Sequence, residues 1–212
     1  KAIRRQMIKA ILFDFDGVIR QWDESDLWTF ESDANVERGT VFEVAFSKEL
    51  HQPLTRGELK WDEWRKQTEQ RLVATHGNLI RPIVKRFFEF EGRIDDDMVT
   101  LIEQLPPELL LGILTNNHDK FEDYLARVGL EKHFDKVVNT HRVGVAKPDP
   151  ESYLTALNYL GVQPSECLFI DDVLTNVEGA ESIGLKSHLF ENQTGLISFL
   201  KKFDIKLISD RK

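Results

Sequence analysis

Four short apolar runs, at residues 8–13, 109–114, 137–138 and 168–170, punctuate this chain. Each ends in polar residues, and each is followed by a stretch with helical spacing. Strand and helix in alternation leave few topologies. A parallel pair of strands needs a long crossover, and a helix supplies it. The pattern therefore predicts an α/β fold, a parallel sheet with crossover helices. The helix after Leu114 is expected over residues 120–128, stopped by Gly129 at the position that favours a left-handed backbone. Another is expected to begin at Pro150 with Asp149 as N-cap. It carries Tyr153, Leu154, Leu157 and Leu160 at core spacing and stops at Gly161. A last helix is expected over residues 176–182, then a final strand over 185–190; the tail from Lys201 reads as an edge strand or a frayed end.

Residues 23–92 break this rhythm, with no run of period two. Thr55-Arg56-Gly57-Glu58 has capping-box spacing, and Leu59, Trp61, Trp64 and Leu72 continue a helical pattern. Ile83, Val84, Phe87 and Phe88 suggest a further helix near Pro82. The segment reads as a helical insert placed over the strand ends, where it would act as a lid.

The first apolar run delivers Asp14-Phe15-Asp16-Gly17-Val18. Two carboxylates at the end of a buried strand cost roughly several kcal/mol if dried without a partner. They are tolerable where a cation or substrate meets them, and the carboxyl ends of strands are the usual ligand edge of an open α/β sheet. Three other motifs belong with this one: Thr115-Asn116-Asn117, Lys147-Pro148 and Asp171-Asp172. Topology would bring these distant residues together. An all-oxygen carboxylate set without thiol or imidazole suits a hard cation such as Mg²⁺, and a lysine with a hydroxyl suits a phosphoryl group. The formal charge of −8 argues against a nucleic-acid surface. The single cysteine, Cys167, excludes an internal disulfide and reads as buried apolar filler. No apolar run reaches bilayer length. The basic residues 1–6 make a poor signal peptide, because the apolar run after them is short and ends in carboxylates; a cytoplasmic location is expected.

As a set, these motifs resemble those of the haloacid dehalogenase-like hydrolase superfamily, in order and nearly end to end. The insert resembles the helical cap of the branch that carries it between the first and second motifs, and Arg56-Gly57-Glu58-Leu59 is similar to a cap segment common in its sugar-phosphate phosphatases. The resemblance implies a Rossmann-like core over residues 1–22 and 93–212 with a cap over 23–92. It implies a Mg²⁺-dependent phosphatase of small phosphorylated metabolites, sugar phosphates foremost, working through an aspartyl-phosphate. Asp14 matches the nucleophile. Asp16 matches the general acid/base, its backbone carbonyl also a metal ligand. Thr115 and the amide of Asn116 match the phosphate holders, and Lys147 the cation that steadies Asp14 and the phosphoryl group. Asp171 and Asp172 match the metal-binding pair. The expected partner is a small metabolite, with no nucleic acid or membrane, acting on a monomer or homodimer.

Blander readings stand beside these. Asp16-Gly17 also fits a turn, Thr115-Asn116-Asn117 or Asp171-Asp172 a helix cap, and Lys147 a surface lysine. Asn176 fits a cap or a ligand-orienting residue. His118 and His141 read as solvated loop histidines, though His118 could touch substrate; Trp61 and Trp64 read as internal packing of the insert, with lining of a substrate pocket as the lesser reading; and Asp95-Asp96-Asp97 as a helix first turn. Among functions, a haloacid dehalogenase would need neither Asp16 nor an acidic metal pair. A phosphomutase of the β-phosphoglucomutase type would carry a histidine soon after the first motif, and residues 21–27 have none. A non-catalytic binding domain would have no need to keep every reactive group.

Overall fold

The computed structural model describes residues 7–33 and 36–211; the basic residues 1–6 lie outside the described residues. The first strand, β1 (Ala10–Phe13), leads into a short strand β2 (Arg20–Gln21) that pairs antiparallel with β3 (Arg93–Ile94). β4 (Leu110–Thr115), β5 (Lys136–Asn139), β6 (Cys167–Asp171) and β7 (Lys186–Leu189) join β1 in one parallel sheet, ordered β5-β4-β1-β6-β7. This is the expected α/β, Rossmann-like sheet. β1 lies at its centre, between β4 and β6, so the chain reverses winding there and a crevice opens at the strand ends.

Between β2 and β3 run α1 (Glu24–Asp33), α2 (Thr40–Ala45), α3 (Lys48–Thr55), α4 (Trp61–His76) and α5 (Arg81–Glu89). The sheet is flanked by α6 (Asp96–Glu103), α7 (Phe121–Arg127), α8 (Thr140–Val143), α9 (Pro150–Leu160), α10 (Leu174–Ser182) and α11 (Gln193–Lys201). Alternate residues of β1 serve opposite faces. Ile11 and Phe13 pack with Met98, Phe121 and Leu196 from α6, α7 and α11, whereas Ala10 and Leu12 pack with Tyr153, Ala156 and Ala180 from α9 and α10. Both faces being covered explains why β1 reads as an unbroken apolar run rather than an alternating one. The segment between β2 and β3 has apolar clusters of its own, one around Val41, Leu72 and Val84 and another around Leu50, Leu54 and Trp64.

Capping chemistry accounts for several element ends. Asp149 accepts from the Glu151 N–H at the start of α9, and Gly161 ends that helix with φ of 70°. Asp95 accepts from the Met98 N–H at the start of α6. The expected capping box at residues 55–58 does not form. Thr55 is the last residue of α3, its hydroxyl donating to the His51 and Gln52 carbonyls. α4 begins at Trp61 instead, and its first N–H is met by the carboxylate of Asp119, 58 residues away, at 2.7 Å. A long-range carboxylate has displaced the local signal. The tail also departs from expectation. Leu196, Phe199 and Leu200, at helical spacing, bury one side of α11, a helix the expectations above do not include, and after Lys201 the described chain ends in a 3₁₀ turn without an edge strand.

Candidate active site

The carboxyl ends of β1, β4 and β6, with the loop between α8 and α9 that carries Lys147, bring the four motifs to one rim. Asp14 follows β1, its N–H donating to the Ile170 carbonyl at 2.8 Å, so the central strand hands it directly to the crevice. Asp171 closes β6 and is fully buried. Lys147, also buried, reaches between them: Nζ lies 2.9 Å from Asp14 Oδ1 and 2.7 Å from Asp171 Oδ2. Oxygens of Asp14, Asp171 and Asp172 lie within 4.8 Å of one another, a group of the size and donor chemistry that holds a hard divalent cation. The residues present thus fit Mg²⁺. Burial, reinforced by the Asp171 charge, raises Asp14 well above the ordinary carboxylate range despite Lys147. Burial and Asp171 raise Asp172 as well. Burial opposes the charge on Lys147, but Asp14 and Asp171 outweigh it and its pKa is raised. Two acids whose ionised forms are disfavoured beside one cation make a centre short of positive charge, which a divalent ion would supply.

The supports of these groups are equally specific. Asn176 donates to both oxygens of Asp171 at 3.1 Å, and the Val173 N–H donates to Oδ1 at 2.8 Å. Asp171 thus caps the turn into α10 while facing the rim, with Asn176 bonded to its carboxylate. Asn116 grips the backbone of Lys147 from both sides, accepting from its N–H at 2.9 Å and donating to its carbonyl at 3.0 Å. Gly179 lets α10 approach closely: a Cβ there would sit 2.8 Å from the Pro148 carbonyl oxygen. Gly17 has φ of +83°, and an added Cβ would fall 2.0 Å from Asp172 Oδ2, so both conformation and space require glycine beside the rim.

Asp16 stands slightly apart. Its carboxylate is not in the three-acid group; it accepts from Arg20 at 2.6 and 3.0 Å, from Trp22 Nε1 at 2.9 Å and from Asn117 Nδ2 at 3.0 Å. Burial works to raise Asp16, but Arg20 and the Trp22 bond outweigh it, and its pKa is lowered. Asn117 also donates to the Thr115 hydroxyl at 3.3 Å and so ties the first motif to the second. Arg20, Trp22 and Asn117 were not singled out as site residues from sequence. Asn117 lies inside a recognised motif and could have been; Arg20, in the two-residue strand β2, and Trp22 just after it belong to no motif.

The histidines differ from expectation. His141 is buried and its Nδ1 meets the Leu54 carbonyl at 2.7 Å. His118 lies near Trp61 and Trp64, and its Nδ1 accepts from the Lys120 N–H. Burial and the Arg20 charge lower its pKa to about 4. His141 is thus held by the insert, while His118 lies beside the insert's tryptophans and also lines the cleft over the rim. Cys167 is buried as expected, and burial pushes its thiol up to about 12. Over the rim lies a cleft of about 2280 Å³, walled by aromatic residues including Trp22, Phe42, Phe46 and Trp61. Trp64 also lines it while its Nε1 donates to the Ala45 carbonyl within the insert.

Residues 8–184 match the haloacid dehalogenase-like hydrolase family, and the chain belongs to that family; it is an enzyme, a hydrolase. Phosphatase MT3486 of Mycobacterium tuberculosis is 28% identical over 205 residues, covering 87% of this chain and 88% of that protein. Bifunctional epoxide hydrolase 2 of Sus scrofa is 29% identical, with 92% of this chain matching 38% of that longer protein. A Porphyromonas gingivalis protein described as a predicted HAD-like family hydrolase shares the fold with a TM-score of 0.73 and 25% identity, covering 92% of this chain and 97% of that one. A Bacteroides thetaiotaomicron enzyme solved with magnesium and inorganic phosphate has the same fold, with a TM-score of 0.70 and 20% identity over 89% of this chain and 98% of that one.

Proposed function

We propose that this hydrolase is a Mg²⁺-dependent phosphatase of small phosphorylated metabolites, sugar phosphates being the first class to test. The observation that carries the reading is Lys147 bridging Asp14 and Asp171 at the end of the central strands, with Asp172 alongside. Asp14 attacks phosphorus and takes the phosphoryl group as an aspartyl-phosphate. Thr115 and Asn116 hold the phosphoryl oxygens, and Lys147 balances their charge. Asp16 protonates the departing alcohol and then takes a proton from the attacking water. Asp14, Asp171, Asp172 and the Asp16 carbonyl would hold Mg²⁺, whose charge would offset repulsion between carboxylate and phosphate. Residues 23–92 form the cap over a core of residues 1–22 and 93–212. The aromatic walls of the cleft support a substrate with an apolar ring face. Placement in the cytoplasm rests on the sequence alone.

The test is phosphate release from para-nitrophenyl phosphate and from a panel of sugar phosphates, with Mg²⁺ and with chelator. Turnover that requires the metal is expected. Asp14→Asn is expected to abolish it, and Asp16→Asn to lower it by at least ~10²-fold. Absence of release across pH and several divalent metals would overturn the reading.

A further inference from the structure

Arg20, in β2, is fixed at its backbone and at its guanidinium. Its backbone is pinned on both sides, with the N–H donating to the Phe15 carbonyl at 2.9 Å and the carbonyl accepting from Gly17 at 2.8 Å. Its guanidinium lies over Phe15, Trp22 and Tyr124, 5.2, 4.8 and 4.6 Å from the ring centres. Gly92 makes room for its stem: a Cβ there would stand 3.1 Å from Arg20 Cγ. The fork meets both oxygens of Asp16, Nε at 2.6 Å and a terminal nitrogen at 3.0 Å. The two ends of this pair differ in exposure. The Arg20 side chain is 7% exposed and that of Asp16 32%, so the cation backs the carboxylate from within while the other edge faces the cleft. A buried arginine is costly unless its charge is met, and a planar fork fixes a carboxylate's plane in a way a point charge does not.

We propose that Arg20 is a positioning residue for Asp16, fixing it as the proton acceptor for the water that attacks the phosphorylated Asp14. The inference rests on the phosphatase reading and assigns Arg20 to its second half. In that step the water oxygen bonds to phosphorus as the bond from phosphorus to Asp14 breaks. Asp14 leaves with the electron pair as a carboxylate, and the water's proton passes to Asp16. All four contacts on the Asp16 carboxylate are donors, two from Arg20 and one each from Trp22 and Asn117. They fix the plane and position of the carboxylate at the edge of the cleft. The indole contact, from a side chain at the exposed edge, is the one that water can replace.

Para-nitrophenyl phosphate separates the two halves, because its leaving group departs without protonation. In Arg20→Lys and Arg20→Gln the second half is expected to become limiting. Turnover should fall at least ~10-fold, a share of the usual general-base effect. KM should fall with it, kcat/KM should stay within a few-fold of wild type, and a stoichiometric burst of para-nitrophenolate should precede the steady state. Arg20→Lys keeps the buried charge and carries the test if Arg20→Gln does not fold; it should be the less impaired of the two. Equal losses in kcat and kcat/KM without a burst, or unchanged turnover, would overturn the assignment. A wild type without phosphatase activity defeats the phosphatase reading and this inference with it; an active wild type with uniformly impaired variants defeats the inference alone.

Discussion

At the scale of single residues, burial sets the chemistry. A carboxyl group ordinarily lies at the surface; Asp14 is 7% exposed, and burial raises its pKa well above the usual range although Lys147 lies 2.9 Å away. The same logic governs His118, whose pKa burial and Arg20 move from 6.5 to about 4. Between those values the unfolded chain binds a proton that the native state refuses, so stability rises with pH across that window. The contribution is complete above 6.5 and is lost as pH falls through about 4. Urea unfolding at pH 7 and pH 5 checks this. His118→Asn keeps an acceptor for the Lys120 N–H, and its loss of stability on acidification should be smaller than wild type's by about 2 kcal/mol.

At the scale of elements, caps decide where helices start, and some caps are local. Asp149 sits immediately before Pro150, and its side chain meets the Glu151 N–H at 3.0 Å. Asp149→Ala is expected to cost about 1 kcal/mol. For a chain of this length the melting temperature should fall by roughly 2–4 °C. Asp149→Asn, which retains an acceptor, should recover most of it in thermal melts. This cap, the stop at Gly161 and the glycine after α7 were legible from residue type and spacing alone. The start of α4 was not, because its partner Asp119 comes from the loop after β4. α11 was legible too: Leu196, Phe199 and Leu200 stand at i, i+3 and i+4 behind the Asn192 cap, although the reading above passes over them.

At the scale of the whole molecule, the site is a product of assembly. Asp14, Lys147 and Asp171 meet because β1 and β6 are adjacent and the chain returns to them from either side. The insert is held against the same rim by Asp119 on the Trp61 N–H, by Lys120 on Asp62 at 2.8 Å and by His141 on the Leu54 carbonyl. Gly57 packs so closely on the His141 carbonyl that a Cβ would lie 2.3 Å from it. A cation bound only by the assembled rim must stabilise the fold by mass action. At about a hundred times its dissociation constant, Mg²⁺ should add about 2.7 kcal/mol. That corresponds to a rise in melting temperature of roughly 5–10 °C. Calorimetry with and without Mg²⁺ checks it. Asp172→Asn should remove most of the rise, and an equal rise in that variant would exclude Asp172 from the cation site.

The order of strands and helices, the four motifs and the donor chemistry at the rim are properties of the sequence, because periodicity, turn residues and oxygen ligands are local and declare themselves by type and spacing. The tertiary structure alone decided that Arg20 backs Asp16, that Asn116 grips Lys147 and that His118 and His141 lie under the insert. Those are pairings between groups brought together by packing, and a hydrogen bond across the fold leaves no periodic trace in the chain that makes it.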